Sequence, residues 1–249
     1  MRVGLMADVH ANLPALEAVL GALARQRVDR LLCLGDLVGY NAQPRECLQA
    51  LRQAGVSCLR GNHDEDIARR VPSETTNRPA ALAQSWTAQV LSEADSGWLL
   101  QLPNKLLEPQ CFLAVHGCFL NDSHVSGYVT STMVSYNLER IAAREDWPKL
   151  AFCGHTHVPM AAWLDGDETV EARGAPSHTW PLEVRAVIIN PGSVGQPRDG
   201  NPQAGFAVVD SDARQVQFHR VGYDVDAAAT AIEQAGLPSS LADRLRAGR

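Results

Sequence analysis

Five apolar runs in this chain each end at a short cluster of Asp, Asn or His residues. The runs are four or five residues long, as expected for buried strands, and cover 3–7, 31–34, 56–59, 112–115 and 150–153. The polar clusters follow at 8–10, 35–36, 61–64, 116–117 and 154–157. Because open α/β sheets bind ligands at the carboxyl ends of their strands, the pattern predicts one shared polar site.

The segments between these runs predict helices that connect strands. Residues 13–25, 44–54 and 77–102 have helical composition, with Asn12 and Asn77 as expected N-caps. Crossovers of this length favour parallel pairing of the strands. After His157 the apolar runs 160–164, 184–189, 206–209 and 216–218 are separated by Gly, Asp and Pro turns, which is typical of antiparallel strands, and 224–246 returns to helical composition. Two sheets flanked by helices would accommodate all of these elements.

The polar clusters contain the carboxylate, imidazole and amide donors that two divalent cations require. A lone Asp-x-His or His-x-His pair proves little, but five of the eight histidines fall inside the clusters. A bridging carboxylate, for which Asp36 is the best placed, would give each ion about four protein ligands. The expected metal ligands are Asp8, His10, Asp36, Asn62, His116, His155 and His157. We interpret His124, His178 and His219 as ordinary packed or surface residues.

The ordered series Asp8-x-His10, Gly35-Asp36, Gly61-Asn62-His63-Asp64, His116-Gly117 and Gly154-His155-Thr156-His157 resembles the calcineurin-like metallophosphoesterase superfamily. The stretches 35–44 and 190–198 are similar to the small bacterial and archaeal branch of YfcE-type phosphodiesterases. The resemblance implies a four-layer αββα sandwich of two mixed sheets flanked by helices. We expect it to form a single domain over 1–249.

The resemblance also implies roles for individual residues. One ion would be held by Asp8, His10, Asp36 and His157, and the other by Asp36, Asn62, His116 and His155. A hydroxide bridging the ions would then attack phosphorus in line with the leaving group. His63 would be the catalytic residue that assists the leaving oxygen. Asn62 and Arg198 are expected to bind substrate, although Arg198 could instead only tie down its own loop.

Departures from related patterns limit the substrate class. The Ser/Thr protein phosphatases carry Gly-Asp-x-Val-Asp-Arg-Gly, whereas here Gly39 and Tyr40 follow Val38. The second Asp and the Arg are missing, so the partner of His63 stays open, with Asp64 as a weak candidate. Asn41 replaces an expected glycine and would tolerate a left-handed backbone. The loop 118–124 also differs, and its Asp122 and His124 either line the site or lie in a solvated loop.

The favoured function is therefore a binuclear metal-dependent phosphodiesterase that hydrolyses a small phosphodiester or nucleotide. The alternatives are a phosphomonoesterase or protein phosphatase on the same centre, and a metal-stabilised scaffold that binds partners without turnover. Manganese is the expected metal, while iron or zinc would also suit oxygen and imidazole ligands.

Composition agrees with this interpretation. The 249 residues, 45% of them hydrophobic, can bury a full core, and the net charge of −6 disfavours non-specific binding to nucleic acid. We find no signal peptide and no apolar span of membrane-crossing length, so a soluble cytoplasmic protein with no membrane partner is expected. The six cysteines are expected to be reduced core residues, with Cys118 the exception. The oligomeric state is open, and a homo-oligomer is possible.

Overall fold

A computed structural model describes residues 1–71, 77–172 and 176–249. The strands in these ranges are β1 (Arg2–Met6), β2 (Arg30–Cys33), β3 (Ser57–Cys58), β4 (Lys105–Glu108), β5 (Phe112–Val115), β6 (Leu150–Phe152), β7 (Met160–Asp165), β8 (Glu168–Ala172), β9 (Ser177–Thr179), β10 (Ala186–Asn190), β11 (Ala204–Asp210) and β12 (Gln215–Val221). The helices are α1 (Leu13–Leu23), α2 (Pro44–Gln53), α3 (Asn62–Arg69), α4 (Arg78–Val90), α5 (Glu93–Gln101), α6 (Val134–Ala142), α7 (Val225–Gln234) and α8 (Ser239–Ala247).

The described strands form two six-stranded mixed sheets. The first sheet has the order β3-β2-β1-β11-β12-β9, and the second has the order β4-β5-β6-β10-β7-β8. Strands β1, β2 and β3 are parallel, as are β5, β6 and β10, whereas the remaining pairs are antiparallel. Each sheet thus has a parallel half whose carboxyl ends lie at one edge.

Three buried apolar layers hold the sheets and helices together. Between the sheets, Leu5 and Leu32 of the first pack with Phe112, Phe152 and Ile189 of the second. On the outer face of the first sheet lie α1 and α2, and on the outer face of the second lies α6. Burial of one such side chain stabilises the fold by about 1.5–3 kcal/mol. The predicted αββα sandwich is confirmed.

Local sequence signals explain where the first helices begin. The Asn12 side chain accepts a hydrogen bond from the Ala15 N–H at 3.2 Å, and Asn77 accepts one from Ala80 at 3.1 Å. Both side chains therefore satisfy an N–H group that has no partner within the helix. After α2, Gly55 takes a positive φ of 64°, which glycine adopts without strain. These caps and the helix stop are confirmed.

Other predictions need correction. The helical segment 77–102 is two helices, because the Ser92 side chain caps a new one by accepting from the Asp95 N–H. Its first half packs with α7 and α8 rather than over the sheet, while Leu99 of α5 joins the core of the first sheet. Strand β10 is antiparallel to β7 but parallel to β6. Helices α3 and α6 and strands β4, β8 and β9 were not predicted.

The cysteines are all free, and five are buried. The expected exception, Cys118, is one of the buried ones, and the exposed residue is Cys111 in the turn between β4 and β5. Cys118 is covered because the loop that contains it folds back on itself: its N–H donates to the Ser126 carbonyl at 3.2 Å.

Candidate metal centre and active-site groove

The parallel halves of the two sheets deliver their polar residues to the same place. Asp8 follows β1, Asp36 follows β2, and Asn62 begins the helix after β3. From the second sheet, His116 directly follows β5, and the two histidines of 154–157 follow β6. Six of these seven side chains are buried to at least nine-tenths, and Asn62 is partly buried. The structure therefore brings together all seven residues that the sequence indicated.

Within the described residues, two groups have the spacing of a metal site. Asp8, His10, Asp36 and His157 form the first, and Asp36, His116 and His155 form the second. In each group the ligand atoms lie within 4.8 Å of one another. Asn62 joins the second group, since its Oδ1 lies 3.2 Å from His116 Nε2. Asp36 belongs to both groups, as a bridging carboxylate would.

In the first group, two imidazole nitrogens face each other with no proton between them. His10 Nδ1 donates to the Val38 carbonyl at 3.1 Å, and His157 Nδ1 donates to the Gln196 carbonyl at 2.6 Å. Each neutral ring therefore has a lone pair on Nε2, and these atoms are 3.2 Å apart. Burial lowers the pKa of both histidines well below the usual value. Two facing acceptors call for a cation.

The second group also brings potential metal-binding atoms together around one imidazole nitrogen. His116 Nδ1 donates to the Leu34 carbonyl at 2.8 Å, so Nε2 points at three acceptor atoms. Asn62 Oδ1, His155 Nδ1 and Asp36 Oδ2 each lie 3.2 Å from it. Ligands about 2.1 Å from one ion lie about 3 to 3.4 Å from each other. The spacing of the donors thus fits a bound divalent ion.

Electrostatics of the buried acids and imidazoles point the same way. Burial raises the pKa of Asp8 to about 7, and the charge of Asp36 adds to the effect. Burial lowers the pKa of His116, but the charge and hydrogen bond of Asp36 outweigh it and bring the value to about 9. Asp36 itself has a pKa well below its usual range, because nearby imidazoles outweigh its burial. A positive charge in this cluster is therefore strongly favoured.

Five of the candidate ligands have a left-handed backbone. The φ angles are 54° at Asp8, 48° at His10, 55° at Asp36, 67° at His155 and 60° at His157. Non-glycine residues rarely adopt this region, and such strain concentrates at functional sites. Hydrogen bonds between the loops hold it in place: Asp8 N–H donates to the Gly35 carbonyl at 3.0 Å and His10 N–H to the Asp36 carbonyl at 2.9 Å.

One glycine is required by the close approach of two loops. A Cβ at Gly61 would collide with the Oδ1 atom of Asp36. The space is needed because the His63 N–H donates to that same oxygen at 2.9 Å. Asp36 is therefore fixed by the start of α3.

His63 lies beside the metal groups but belongs to neither of them. Its ring packs edge-on against His10, with the centroids 4.8 Å apart, and lies 4.6 Å from the Tyr40 ring. Its Nδ1 is 3.4 Å from Nε2 of Gln84 on α4, a residue that the sequence did not indicate. With the amide in this orientation, Gln84 donates to Nδ1, so that the proton of the neutral ring is on Nε2.

Asp64 is not the partner of His63. Its carboxylate accepts backbone N–H bonds from Leu37 at 2.8 Å, Val38 at 3.2 Å and Gly61 at 2.9 Å. It therefore ties the loop after β2 to the start of α3. The side chain that contacts His63 Nδ1 is that of Gln84. No local motif could reveal this contact, because Gln84 lies 21 residues further along the chain on a separate helix.

In the loop after Asp36, Gly39 and Tyr40 have positive φ angles of 95° and 60°, whereas Asn41 does not. Asn41 instead donates its side-chain amide to the His10 carbonyl at 2.7 Å. The replacement of an expected glycine is thus accommodated by a hydrogen bond to the loop that carries His10, not by a left-handed backbone at that position.

The divergent loop after His116 contributes an aromatic residue that the sequence analysis missed. Tyr128 stacks on His155 with ring centroids 4.1 Å apart and an interplanar angle of 19°. His124 is buried and its Nδ1 donates to the Cys118 carbonyl at 3.2 Å, whereas Asp122 is exposed. Neither of these two lines the groove, which agrees with their interpretation as loop residues.

A groove of about 570 Å³ opens onto the metal groups. Asp36, Asn62, His63, His155 and His157 form its floor, together with Tyr40 and Tyr128. Arg198 lines it as well, and so does Arg244 from helix α8. The groove thus combines candidate metal ligands, a candidate acid and two cationic side chains, which is the equipment for binding and cleaving a phosphate ester.

The model of the calcineurin-like phosphoesterase superfamily domain matches residues 1–214. The chain belongs to this superfamily and is a metal-dependent phosphoric ester hydrolase, as the five motifs indicated. In sequence it is 30% identical over 247 residues to an uncharacterized protein of Methanocaldococcus jannaschii, which covers 99% of this chain and 98% of the relative. It is 28% identical over 216 residues to the phosphodiesterase YfcE of Escherichia coli, with 87% of this chain and 91% of that protein covered.

Solved structures give the same family. The metallophosphoesterase from Sphaerobacter thermophilus superposes with a TM-score of 0.84 and 35% sequence identity, over 100% of this chain and 99% of that one. A hypothetical protein from Pyrococcus horikoshii has a TM-score of 0.82 at 20% identity, with 100% and 98% covered, and supports the fold alone.

In the part of the chain that the structure describes, no helix is both long and apolar enough to cross a bilayer.

Proposed function

We propose that this chain is a phosphodiesterase with a binuclear metal centre, acting on a small phosphodiester or nucleotide. The observation that carries the proposal is the position of Asp36, which is shared by two buried groups of acceptor atoms. The likeness to the phosphodiesterase YfcE, at 28% identity over most of both chains, supports a diester as substrate.

We assign one ion to Asp8, His10, Asp36 and His157, and the other to Asp36, Asn62, His116 and His155. When bound, divalent cations lower the pKa of water and offset the negative charge of a phosphoryl group. Manganese is the expected metal, and iron or zinc would suit the same oxygen and imidazole donors.

The residues on the substrate side have separate tasks. With its proton on Nε2, the neutral His63 can donate a hydrogen bond to the oxygen that leaves phosphorus, and in its imidazolium form it can transfer that proton. Asn62 lines the groove next to it and would help to position the phosphate. Arg198 offers a guanidinium to the phosphoryl oxygens, and its backbone N–H donates to the His157 carbonyl at 3.3 Å. This bond keeps the arginine loop close to the first metal group.

The substrate would be a small molecule that enters the groove. The net charge of −6 disfavours non-specific nucleic acid binding. Two arginines, Arg198 and Arg244, line the groove and can attract a small anion there. We propose a cytoplasmic enzyme.

Hydrolysis of bis(p-nitrophenyl) phosphate and p-nitrophenyl phosphate by the manganese-loaded protein tests the proposal. We expect kcat/KM for the diester to exceed that for the monoester by about tenfold or more, a difference of at least about 1.4 kcal/mol in transition-state stabilisation. Asp36→Asn should abolish turnover, because the shared ligand loses its charge. Asp167→Asn, which changes a carboxylate that is 99% exposed, is the matched control and should keep full activity.

The other outcomes identify the alternatives. Preference for the monoester would indicate a phosphomonoesterase on the same centre. Protein that holds both metals but turns over neither ester would be a binding scaffold, and the proposal would be wrong.

A further inference from the structure

Two arginines line the groove without an acidic partner. In the described part of the chain, neither Arg198 nor Arg244 lies within 4.0 Å of an Asp or Glu side chain. Arg198 donates from Nη2 to Gln196 Oε1 at 3.0 Å and to the Tyr40 hydroxyl at 3.4 Å, while its buried Nε has no partner among the described residues. Arg244 uses Nε to bond a main-chain oxygen of Arg249, the last residue of the sequence, at 3.0 Å. Both guanidiniums therefore keep N–H groups for a ligand.

Arg246, in the same turn of α8, is an arginine whose ion pairs give it a structural role. It lies within 4.0 Å of the carboxylates of Asp226, Glu233 and Asp243. Arg244 has the same favourable position at a helix C-terminus but faces the groove instead. The helix dipole favours an arginine at both positions. It therefore does not explain why Arg246 has Asp and Glu partners and Arg244 has none among the described residues.

Both arginines approach the same aromatic ring. Their guanidinium carbons lie 5.9 Å (Arg198) and 5.8 Å (Arg244) from the centre of the Tyr40 ring. Burial and the charge of Arg198 lower the pKa of Arg244. Two cations that approach one ring with no described Asp or Glu side chain as partner repel each other, and an anion held between them would remove that cost.

Tyr40 also connects this pair to the chemistry. Its ring lies 4.6 Å from the ring of His10 and 4.6 Å from that of His63. One aromatic ring thus separates the arginines from a candidate metal ligand and from the candidate acid. The groove's acidic residues outside the metal groups, Glu65 and Asp66, are both on α3, and Glu65 already pairs with Arg60 and Arg69.

We infer that Arg198, Arg244 and the Tyr40 hydroxyl form a second anion subsite, and that the substrate carries at least one phosphate besides the one that is cleaved. This inference rests on the proposed function and narrows its substrate to the class of nucleotides or diesters with two or more phosphates. Paired guanidiniums suit a phosphate because each can donate two N–H bonds to its oxygens.

The test uses Arg244→Gln in the manganese-loaded protein, with Arg246→Gln as the matched control. Inhibition constants for phosphate and pyrophosphate are measured during hydrolysis of bis(p-nitrophenyl) phosphate. The wild type should bind pyrophosphate more tightly than phosphate, and Arg244→Gln should lower that preference about tenfold to a hundredfold, the effect of losing a charged hydrogen bond. Arg246→Gln should keep the wild-type preference and activity, and Arg244→Lys should recover part of it.

An unchanged preference in Arg244→Gln would overturn the subsite. The proposed function fails in a different way, through absence of diester hydrolysis by the wild type. In that event calorimetric titration of the metal-loaded proteins with pyrophosphate still decides: weaker binding by Arg244→Gln than by Arg246→Gln supports the subsite, and equal binding excludes it.

Discussion

His63 is held by two aromatic neighbours and an amide, and this arrangement leaves its Nε2 available to the groove. His10 and Tyr40 restrict the ring from two sides, and Gln84 bonds Nδ1. A carboxylate in place of Gln84 would favour the imidazolium, whereas a neutral amide does not. The neutral ring therefore presents an Nε2–H to the groove as a hydrogen-bond donor, and transfer of that proton takes place from the imidazolium form.

We expect His63→Ala to keep both metals and to lower turnover about 10²- to 10⁴-fold on a diester with a poor leaving group, because general acid catalysis is lost. The loss should be smaller for a nitrophenyl ester, whose leaving group needs little protonation. Steady-state kinetics with both substrates, together with metal analysis, check the expectation. His178→Ala, which changes a histidine outside the groove, is the control. Equal losses on both substrates would instead indicate that His63 only binds phosphate.

We expect Gln84→Leu to lower kcat about three- to tenfold with little change in KM, since one hydrogen bond that orients the acid is removed. Ser85→Ala, next to it on α4, controls for changes to the helix. The measurement is kcat and KM on the poor leaving group, repeated on the nitrophenyl ester, where the effect should shrink as it does for His63→Ala. An increase in KM alone would show that Gln84 acts on binding rather than on the orientation of His63.

Among the individual site residues, the sequence predicted those that belong to motifs and missed those that do not. The seven candidate ligands and His63 follow apolar runs, so their meeting could be predicted from strand order. Gln84, Tyr128 and Arg244 come from a helix face, a loop and a distant helix, and their positions depend on tertiary packing that no local pattern encodes.

Among the elements, the start of α3 organises the centre. Asn62 and His63 are its first two residues, and Asp64 accepts two N–H bonds from the loop after β2 and a third from Gly61, the N-cap of α3. Strand, loop and helix are thus locked in one arrangement. The buried strands before the polar clusters were within reach of the sequence because Val, Leu and Phe runs predict them. The edge strands β4, β8 and β9 were not, since their exposed faces break the apolar runs.

We expect Asp64→Ala to lower the free energy of unfolding by about 3 to 6 kcal/mol, because three buried N–H groups lose their acceptor and each costs about 1–3 kcal/mol. Asp64→Asn keeps one acceptor oxygen and should be less damaging. Urea unfolding of both variants measures the difference. A loss below about 1 kcal/mol for Asp64→Ala would mean that water replaces the carboxylate.

His155 and His157 lie beyond the end of β6 and have a left-handed backbone, so the same-face rule for residues two apart in a strand does not apply to them, and we expect them to serve different ions. The structure places His157 in the first group and His155 in the second. His157→Ala should weaken the first site, His155→Ala the second, and Asp36→Asn both. Anomalous-scattering maps of metal-soaked crystals report each occupancy. Loss of the same ion in both histidine variants would show that our assignment is wrong.

For the molecule as a whole, two sheets meet at their polar edge and the C-terminal helices cover one side of the groove. The family match ends at residue 214, yet α7 and α8 pack with α4 and Tyr40 in one apolar cluster. That a single domain spans 1–249 stays a prediction, and this cluster supports it. The sequence predicted helical structure over 224–246, but not that it forms two helices or that one of them would supply a groove residue.

We expect protein purified without chelator to contain close to two transition-metal ions per chain. Binding only to the folded state stabilises it by about 2.7 kcal/mol for each ion present at a hundred times its Kd. Since 1 kcal/mol shifts Tm by about 2–4 °C in a chain of this size, chelation should lower Tm by several degrees. Metal analysis and calorimetry measure both. A content of one ion that excess metal does not raise would contradict a binuclear centre.

The left-handed backbone of the ligand residues has a consequence for how the protein obtains its metal. Hydrogen bonds between neighbouring loops, none of which involves an ion, already hold Asp8 and His10 in that conformation. An arriving cation therefore meets a finished coordination shell and does not have to organise the chain around itself. We therefore expect the bound metal to depend on which ions are available around the protein. A change in the cellular ratio of manganese to iron would then change the reactivity of the protein without changing its fold.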